Sequence, residues 1–540
     1  MISIKRAVAF AIITAFTIFA TLLYAWLPEP QNRESLNFSA KRAADDIKEI
    51  SIEPHSLDHP EARDRVRDYL KTRLDEAGFR TEIEFYDTIG NIYAYLPPVD
   101  NDSLNGSYLL LMAHLDSRHA YTVNGKVHYS LGAADDGYGL ASIIELAANS
   151  LKYHEYWSQG LKILFTDGEE KNLYGIKAAL KNRGDFFKDV GLIINIEARG
   201  VKGPAVLFET SPGNRELVKL FSKSSHPSGY SLSSFVYGIL PNYTDFSLIK
   251  DDYPGMNFAV IDNLDYYHTE LDNYENISLS SLQHYGVQIA PIIEEYLVNS
   301  KYSDNKYLFA NRDLVYFTIP FAGLFTFSRW GYFLLNISFA FLLLFKVIWL
   351  RKSGGLSINR LVRTMATMLS VLILISFFTF ALSFILSLIN GVDYKLIGLA
   401  HIKFDNLLAI LAFAATIIFI SIAYSVLSYN RRVSYVEFHI SAEILCIFFS
   451  GIFLIFSGEN FFLFIPFLFS MISGLFINFK YGWIVFGAFL FISLMTVLPF
   501  LHLIYMALYS GALFLPLTIF SLIWFMFFPH IHRLSIKLAK

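Results

Sequence analysis

The sequence contains a single cysteine, Cys446, among its 540 residues. That scarcity excludes an intramolecular disulfide framework and any zinc site built from several thiolates. Charged residues are also few, at 17%, and the formal net charge of −3 lacks the basic excess expected of a nucleic-acid-binding protein. No internal repeat or low-complexity tract is present. Hydrophobic residues, by contrast, reach 54%, so the composition indicates a membrane protein that carries a soluble part.

Apolar runs long enough to cross a hydrocarbon core of ~30 Å lie at both ends of the chain. The first, 7–27, follows Lys5 and Arg6 and lacks a small-x-small cleavage site, which favours an uncleaved anchor over a cleaved signal peptide. Further spans are predicted at about 330–350, 364–389, 407–428, 438–457, 461–477, 482–501 and 507–528. The prediction is therefore an N-terminal transmembrane anchor at 1–29, a soluble domain at 30–306 and a membrane domain at 307–540 with about seven transmembrane helices.

Clusters of lysine and arginine follow the second, fourth, sixth and eighth predicted spans. Under the positive-inside rule these clusters are cytoplasmic, as are Lys5 and Arg6. The sequence thus predicts a multi-pass integral membrane protein with both termini in the cytoplasm. Its soluble domain would face the periplasm, the cell exterior or an organelle lumen. Segment 307–328, which is aromatic and contains Pro320, is predicted to lie at the membrane interface.

Two ionisable residues, His439 and Glu443, lie one helical turn apart in the fifth predicted span. Ionisable groups inside a membrane suggest a function such as a proton relay. A mutually satisfied pair at a helix end is the simpler interpretation.

Short buried strands alternate with helices in the soluble domain. The predicted strands are 81–86, 91–96, 108–112, 161–165, 192–196 and 258–261, and the predicted helices are 61–79, 140–151, 173–182 and 279–298. The last four strand candidates are predominantly apolar, which is typical of strands buried on both faces. This alternation predicts an α/β three-layer sandwich with a mostly parallel sheet, in which ligands bind at the carboxyl ends of the strands.

Polar residues cluster where those strands end. The candidates that follow strands are His114, Asp116, Asp167, Glu169, Glu170, Glu197, Tyr266, Tyr267 and His268, and Asp135 and Asp136 precede the helix at 140. Imidazole and carboxylate groups without thiolate suit Zn²⁺ or a similar divalent ion, and one carboxylate can bridge two ions. The sequence therefore predicts a metal site at this edge of the sheet.

These motifs resemble the co-catalytic di-zinc exopeptidases of the aminopeptidase Y type, which include bacterial leucyl aminopeptidase and glutamate carboxypeptidase II. The resemblance covers roughly residues 40–300. The runs Leu192–Gly200, Tyr243–Ile249 and Tyr267–Thr269 are similar to the branch of vacuolar membrane proteases and endoplasmic-reticulum metallopeptidases, as is the layout of membrane segments. The chain departs from the family pattern at Glu197, where many relatives carry Asp, and at Asp136-Gly-Tyr-Gly, where Asn-x-Ser-Gly is commoner.

The resemblance implies two Zn²⁺ ions. His114, Asp135 and Glu197 would hold one of them. Glu170 and His268 would hold the other, with Asp135 as the bridging ligand.

The resemblance also implies catalytic roles for neighbouring residues. Glu169 would be the general base and acid, and Asp116 would orient the imidazole of His114. Tyr267 is expected either to hydrogen-bond the tetrahedral intermediate or to serve in packing, and Asp245 is expected to support the site.

The resulting hypothesis is a membrane-anchored di-zinc exopeptidase that acts on peptide substrates, preferably an aminopeptidase. Cleavage of carboxyl-terminal residues remains open, as do side-chain specificity and oligomeric state. A glutaminyl-cyclase-like acyl transferase and a non-catalytic binding ectodomain are the alternatives, although no predicted metal ligand is missing. The membrane domain is expected to anchor the protein or present substrates, because no pair of broken helices marks a transporter site.

Overall fold

The structure, a computed structural model, describes residues 27–99, 106–123, 126–240, 242–396, 404–428, 433–476, 479 and 482–538. The predicted anchor at 7–27 lies outside the described residues except for its last residue. The described chain forms two compact units. We name Leu27–Thr318 with Ala322–Ser328 the α/β unit, and Arg329–Lys540 with Ile319–Phe321 the helical unit.

A seven-stranded sheet forms the centre of the α/β unit. The strands of this unit are β1 (Arg80–Tyr86), β2 (Ile89–Leu96), β3 (Tyr108–His114), β4 (Tyr121–Val123), β5 (Lys126–His128), β6 (Gly160–Thr166), β7 (Val190–Ala198), β8 (Lys202–Thr210), β9 (Gly255–Asp262), β10 (Leu314–Ile319) and β11 (Gly323–Ser328). The order across the main sheet is β1-β2-β6-β3-β7-β9-β8, while β4 pairs with β5 and β10 with β11 in separate hairpins.

The central strands β6, β3, β7 and β9 are parallel to one another, and the remaining pairings of the main sheet are antiparallel. The predicted parallel sheet is therefore confirmed at its centre, whereas the whole sheet is mixed. β1 and β2 are antiparallel because the two residues between them can join only antiparallel neighbours. The sequence did not predict β8, because Gly203 and Pro204 at its start are turn signals.

Helices cover both faces of the main sheet. They are α1 (Ala40–Ile50), α2 (Pro60–Glu76), α3 (Gly137–Ser150), α4 (Tyr174–Asn182), α5 (Gly184–Phe187), α6 (Arg215–Phe221), α7 (Ser231–Ile239) and α8 (Leu279–Val298). Leu109 and Leu111 of β3 pack in the larger core, with α1, α2, α3 and α8. Leu110 and Met112 pack in a second core, with α4 and α5. Alternate residues of a strand point to opposite faces, so the continuous apolar runs reflect burial on both sides and the three-layer prediction is confirmed.

The segment before the first described membrane helix contains regular structure. β10 and β11 form a hairpin whose first strand is largely buried and whose second strand is half-buried to exposed. The sequence predicted only an aromatic segment at 307–328, and its location at a membrane interface stays a prediction.

The helical unit contains α9 (Arg329–Lys352), α10 (Ile358–Ile389), α11 (Asp405–Ser428), α12 (Tyr435–Ser457), α13 (Phe461–Phe476), α14 (Gly482–Leu508) and α15 (Phe514–Leu538). Six of these helices are long and apolar enough to cross a membrane, and α13 is a shorter apolar helix. The last two helices differ most from the predicted bounds. α14 continues through Pro499 to Leu508, and a break at Tyr509, where φ is 58°, precedes α15.

Candidate metal centre and active site

The candidate site residues follow the carboxyl ends of three neighbouring parallel strands. His114 is the last residue of β3, and Glu197 is the second-to-last residue of β7. Glu169 and Glu170 come shortly after β6. Because β6, β3 and β7 are adjacent in the sheet, these side chains emerge at the same edge. Asp135 lies directly before Asp136, whose side chain caps α3 by accepting a hydrogen bond from the Gly139 amide.

The first group of converging side chains consists of His114, Asp135 and Glu197. Nε2 of His114 lies 3.2 Å from Oδ1 of Asp135 and 3.7 Å from Oε2 of Glu197. All three residues are buried, and one atom from each lies within 4.8 Å of the others. This group can hold a metal ion.

The second group shares Asp135 with the first. Nε2 of His268 lies 3.2 Å from Oδ2 of Asp135 and 2.9 Å from Oε1 of Glu170. The two oxygens of Asp135 therefore face different histidines. This arrangement is the one that a carboxylate needs to bridge two cations.

The unsatisfied hydrogen-bonding groups provide a test of whether these residues fit a metal. Oδ2 of Asp135, Oε1 of Glu170 and Nε2 of His268 are buried atoms without an aligned hydrogen bond. Zinc ligands bound at 2.0–2.1 Å in tetrahedral geometry are separated by roughly 3.3 Å, which is close to the distances between these atoms. The donor set, imidazole nitrogen with carboxylate oxygen, is also one that zinc accepts. The residues therefore fit divalent metal ions in two neighbouring positions.

Negative charge exceeds positive charge among the candidate site residues at the carboxyl edge of the main sheet. Burial raises the pKa of Glu197 to about 8 and that of Glu169 well above its usual range. For Glu169, the nearby charges of Glu197 and Glu170 act in the same direction, while His114 opposes them. Burial alone would raise the pKa of Asp135 as well, but the neighbouring imidazoles of His114 and His268 lower it. A bound cation would relieve this excess of negative charge.

The carboxylate of Asp116 holds the turn that carries the two adjacent glutamates. Its Oδ1 accepts a hydrogen bond from the Glu169 amide at 3.0 Å, and its Oδ2 accepts one from the Glu170 amide at 3.3 Å. Nδ1 of His114 lies 2.9 Å from the backbone carbonyl oxygen of Asp116 but 3.6 Å from its carboxylate. The imidazole thus contacts the backbone of Asp116 more closely than the side chain that the resemblance implied.

Tyr267 and Asp245 also lie beside the predicted ligands. The ring of Tyr267 stacks on that of His268, with the centroids 3.6 Å apart. Burial raises the pKa of Tyr267 well above its usual range, so its hydroxyl stays a donor. Asp245 accepts a hydrogen bond from the hydroxyl of Thr166, the last residue of β6. Contact between Tyr267 and a reaction intermediate stays a prediction.

Two residues that the sequence did not identify support the predicted ligands. Nη1 of Arg118 donates to Oε2 of Glu170 at 2.7 Å, which leaves Oε1 directed at His268. Asp272 accepts hydrogen bonds from the amides of Ala134 and Asp135, at 2.6 and 3.3 Å. Burial, with the nearby charge of Asp135, raises the pKa of Asp272 to about 7. Arg118 lies close to His114 in sequence, but no sequence spacing linked Asp272 to the site.

The fold and the two groups define an α/β protein with a candidate two-metal centre at the carboxyl edge of its sheet. Residues 91–293 match the model of peptidase family M28, so the chain carries an M28 peptidase domain and the predicted resemblance is confirmed.

Similar proteins include membrane-associated peptidases. The chain is 28% identical over 304 residues to a vacuolar membrane protease of Candida dubliniensis, covering 52% of this chain and 31% of that protein. It is 30% identical over 253 residues to endoplasmic reticulum metallopeptidase 1 of Mus musculus, covering 46% and 26% respectively. The chain thus spans about a third or less of the length of these relatives. A solved glutaminyl cyclase of Porphyromonas gingivalis aligns at 20% identity and a TM-score of 0.38, covering 48% of this chain and 99% of that one.

Proposed function

We propose that this protein is a membrane-bound zinc exopeptidase that acts as an aminopeptidase. The observation that carries the proposal is the pair of three-residue groups that share Asp135 and lie beside the half-buried Glu169. The match of residues 91–293 to peptidase family M28 supports hydrolysis of peptide bonds as the reaction.

Two zinc ions would be held by the two groups. His114, Asp135 and Glu197 form one set of ligands, and Asp135, Glu170 and His268 form the other. Zinc supplies a Lewis acid that polarises the scissile carbonyl and makes water more acidic. Arg118 holds the side chain of Glu170, and Asp116 holds its backbone amide. The free carboxylate oxygen of Glu170 therefore faces the metal position that it would share with His268 and Asp135.

Glu169 is the proposed general base. Its carboxylate would take a proton from the attacking water and return it to the leaving amine, because the metal ligands cannot exchange protons while coordinated. Asp116 positions Glu169 through its backbone amide, at 3.0 Å. The hydroxyl of Tyr267 would donate a hydrogen bond to the developing oxyanion. Asp245 would support the end of β6 through its hydrogen bond with Thr166.

The membrane topology forms the second part of the proposal. The apolar helices of the helical unit would cross the membrane, together with an N-terminal anchor at 1–29. The α/β unit would face the non-cytoplasmic side, where the chain meets peptide substrates, and both termini would be cytoplasmic. The relatives named for the vacuolar membrane and the endoplasmic reticulum support a membrane location.

The first test is hydrolysis of a panel of amino-acid anilides by detergent-purified protein, each beside its N-acetylated counterpart. We expect cleavage of the free amines alone, since an aminopeptidase recognises the terminal ammonium group. Replacement Glu169→Gln should reduce kcat by about 10²–10⁴-fold while bound zinc, measured by elemental analysis, is unchanged.

The remaining outcomes distinguish the alternatives. Cleavage of carboxyl-terminal residues from peptides with blocked amino termini would replace the aminopeptidase assignment with a carboxypeptidase. Cyclisation of amino-terminal glutamine without hydrolysis would establish the acyl-transferase alternative. Folded protein that binds no zinc would contradict the catalytic proposal and favour a binding ectodomain.

A further inference from the structure

The hairpin of β4 and β5 lies beside the loop that carries His268. We name residues 267–273 the His268 loop, and this loop is neither helix nor strand. Tyr121 of β4 and His128 of β5 are direct partners across the hairpin, and their rings stack with centroids 5.5 Å apart. Directly opposed residues of an antiparallel pair project from the same face, so the two side chains form one surface of the hairpin.

Both side chains of this surface contact the His268 loop. The hydroxyl of Tyr121 donates a hydrogen bond to the backbone carbonyl oxygen of His268 at 3.0 Å. Nδ1 of His128 lies 3.3 Å from Oε2 of Glu270. The hairpin therefore holds the loop at the candidate metal ligand itself and again two residues further along the chain.

Further hydrogen bonds join the chain after the hairpin to the same loop. The hydroxyl of Ser130, two residues after β5, donates to Oδ2 of Asp272 at 3.0 Å. Asp272 also accepts a hydrogen bond from the amide of Asp135 at 3.3 Å. Three alternate residues of the loop, His268, Glu270 and Asp272, therefore contact one continuous segment, which begins at the hairpin and ends at the candidate bridging ligand.

The backbone of His268 has a conformation that needs support from its surroundings. Its φ is 60°, in the left-handed region that residues other than glycine rarely adopt. Such a conformation persists only where neighbouring contacts fix it. Because the hydroxyl of Tyr121 bonds the carbonyl of this same residue, the hairpin supports the backbone at the strained position.

The two candidate histidine ligands differ in what orients their rings. Nδ1 of His114 lies 2.9 Å from the carbonyl oxygen of Asp116. Nδ1 of His268 has no hydrogen-bond partner among the residues that the structure describes. A metal-bound histidine usually gains its orientation from a hydrogen bond at its second nitrogen. The ring of His268 therefore depends on its backbone and on the stacked ring of Tyr267 for its orientation.

We propose that Tyr121 and His128 are positioning residues for the second group of metal ligands and have no such role for the first group. The inference rests on the proposed function, because it concerns the affinity for the zinc that this function requires. The hairpin fixes the backbone of His268, which keeps the imidazole within reach of Glu170 and Asp135.

The first group lies outside this set of contacts. The hydrogen bonds between the hairpin and the His268 loop involve neither His114 nor Glu197, the two ligands that belong to the first group alone. Removal of the Tyr121 hydroxyl or the His128 imidazole should therefore weaken the binding of one zinc ion and leave the other unchanged. A hairpin that served only in folding would weaken the binding of both ions.

The test is zinc binding to the detergent-purified full chain, titrated against a competing chelator so that the affinities of two ions are resolved. Tyr121→Phe should weaken one ion by about 10-fold, and Tyr121→Phe/His128→Ala should weaken it by about 100-fold, the range found when groups that orient a metal ligand are removed. The other ion should keep its wild-type affinity, which also shows that the variants are folded.

Two further variants serve as controls. His128→Gln keeps a hydrogen-bond donor for Glu270 and should bind both ions with the wild-type affinities. Tyr69→Phe removes a half-buried hydroxyl that donates to Asp46 between α2 and α1, so it should also leave both affinities unchanged.

A combination with a ligand variant assigns the weakened ion to the second group. His268→Ala should lose one ion, and the addition of Tyr121→Phe should cause no further loss, because the hydroxyl acts through His268. The inference is overturned if Tyr121→Phe/His128→Ala keeps both wild-type affinities, or if it weakens both ions equally. Either result with peptide hydrolysis intact would leave the proposed function standing. Two zinc ions with the expected dependence on the hairpin, but no hydrolysis, would contradict the peptidase assignment alone.

Discussion

Two clusters of buried ionisable groups, one in each unit, differ in how their charge is balanced. At the sheet edge of the α/β unit, Asp135, Glu170 and Glu197 face two histidines, and oxygen and nitrogen lone pairs point at one another. In the helical unit, Glu443 is paired with Lys346. An excess of buried carboxylates requires a cation from outside the chain, whereas a paired carboxylate does not. The same residue types therefore form a candidate metal centre in one unit and a pair whose charges balance each other in the other.

The largest effect is expected from Asp135→Asn, which tests whether the sheet edge depends on added cations. An amide has one oxygen and cannot bridge two metal ions, so both positions should lose zinc and hydrolysis should fall to background. Metal analysis after dialysis and anilide hydrolysis measure these losses. Asp87→Asn makes the same chemical change at an exposed turn and should alter neither. Retention of two zinc ions by Asp135→Asn would refute the bridging role.

A buried histidine without a carboxylate partner should make the α/β unit less stable in acid. His284 accepts a hydrogen bond from the Ala205 amide at Nδ1 and faces the carbonyl of His226 at Nε2, and burial lowers its pKa to about 4. The pKa is lower in the folded state than in the unfolded state. The contribution of His284 to the free energy of unfolding is therefore fully present above pH 6.5 and is lost as the pH falls toward 4.

The loss amounts to at most about 3 kcal/mol in the free energy of unfolding, at 1.36 kcal/mol per pKa unit. His284→Gln cannot be protonated in this range, so its stability should fall less steeply between pH 6.5 and 4. Denaturant unfolding followed by fluorescence at several pH values measures the slopes. Identical slopes for the two proteins would show that His284 is not responsible.

Variants of Arg118 test whether a cation beside a proposed metal ligand affects zinc binding more than a cation in an exposed ion pair does. Arg118→Met leaves Oε2 of Glu170 without its donor, and removing such a supporting hydrogen bond should cost about 10–100-fold in zinc affinity or kcat/KM. Arg118→Lys should recover part of the loss. Zinc titration against a competing chelator gives the affinity. Arg33→Met breaks the exposed pair with Asp45 and serves as the control. Equal effects of the Arg33 and Arg118 variants would argue against a positioning role.

The smallest effects come from removing one tyrosine hydroxyl in each unit. In the α/β unit, the hydroxyl of Tyr285 donates to the carbonyl of Glu197 at 2.5 Å and accepts from the Val260 amide at 2.7 Å. Tyr285→Phe leaves both backbone groups buried and should cost about 1–3 kcal/mol. Tyr332→Phe removes the bond to Asn460 and should cost about 0.6 kcal/mol, a typical value between membrane helices. Thermal unfolding of the two variants should therefore show the larger decrease for Tyr285→Phe, and the reverse order would contradict the comparison.

Local sequence patterns were sufficient for the central strands, the principal helices and the candidate ligands. Predominantly apolar runs identified β3, β6, β7 and β9, because strands buried on both faces need apolar side chains at most positions. Polar residues shortly after such runs made His114 and Glu170 candidate ligands, because parallel strands end at a common edge. The antiparallel outer strand β8 was missed, since its glycine and proline resemble a turn and its pairing with β9 is not a local property.

Composition and periodicity indicated a membrane protein with an α/β domain and a set of candidate metal ligands, because burial and secondary structure leave a local pattern in the chain. Pairing over long separations left no such pattern. Asp272 supports a segment 138 residues away, and Lys346 balances a glutamate 97 residues away. Such partners are chosen by packing, which brings distant elements together and leaves a buried charge stable only beside its counterion or hydrogen-bond donor.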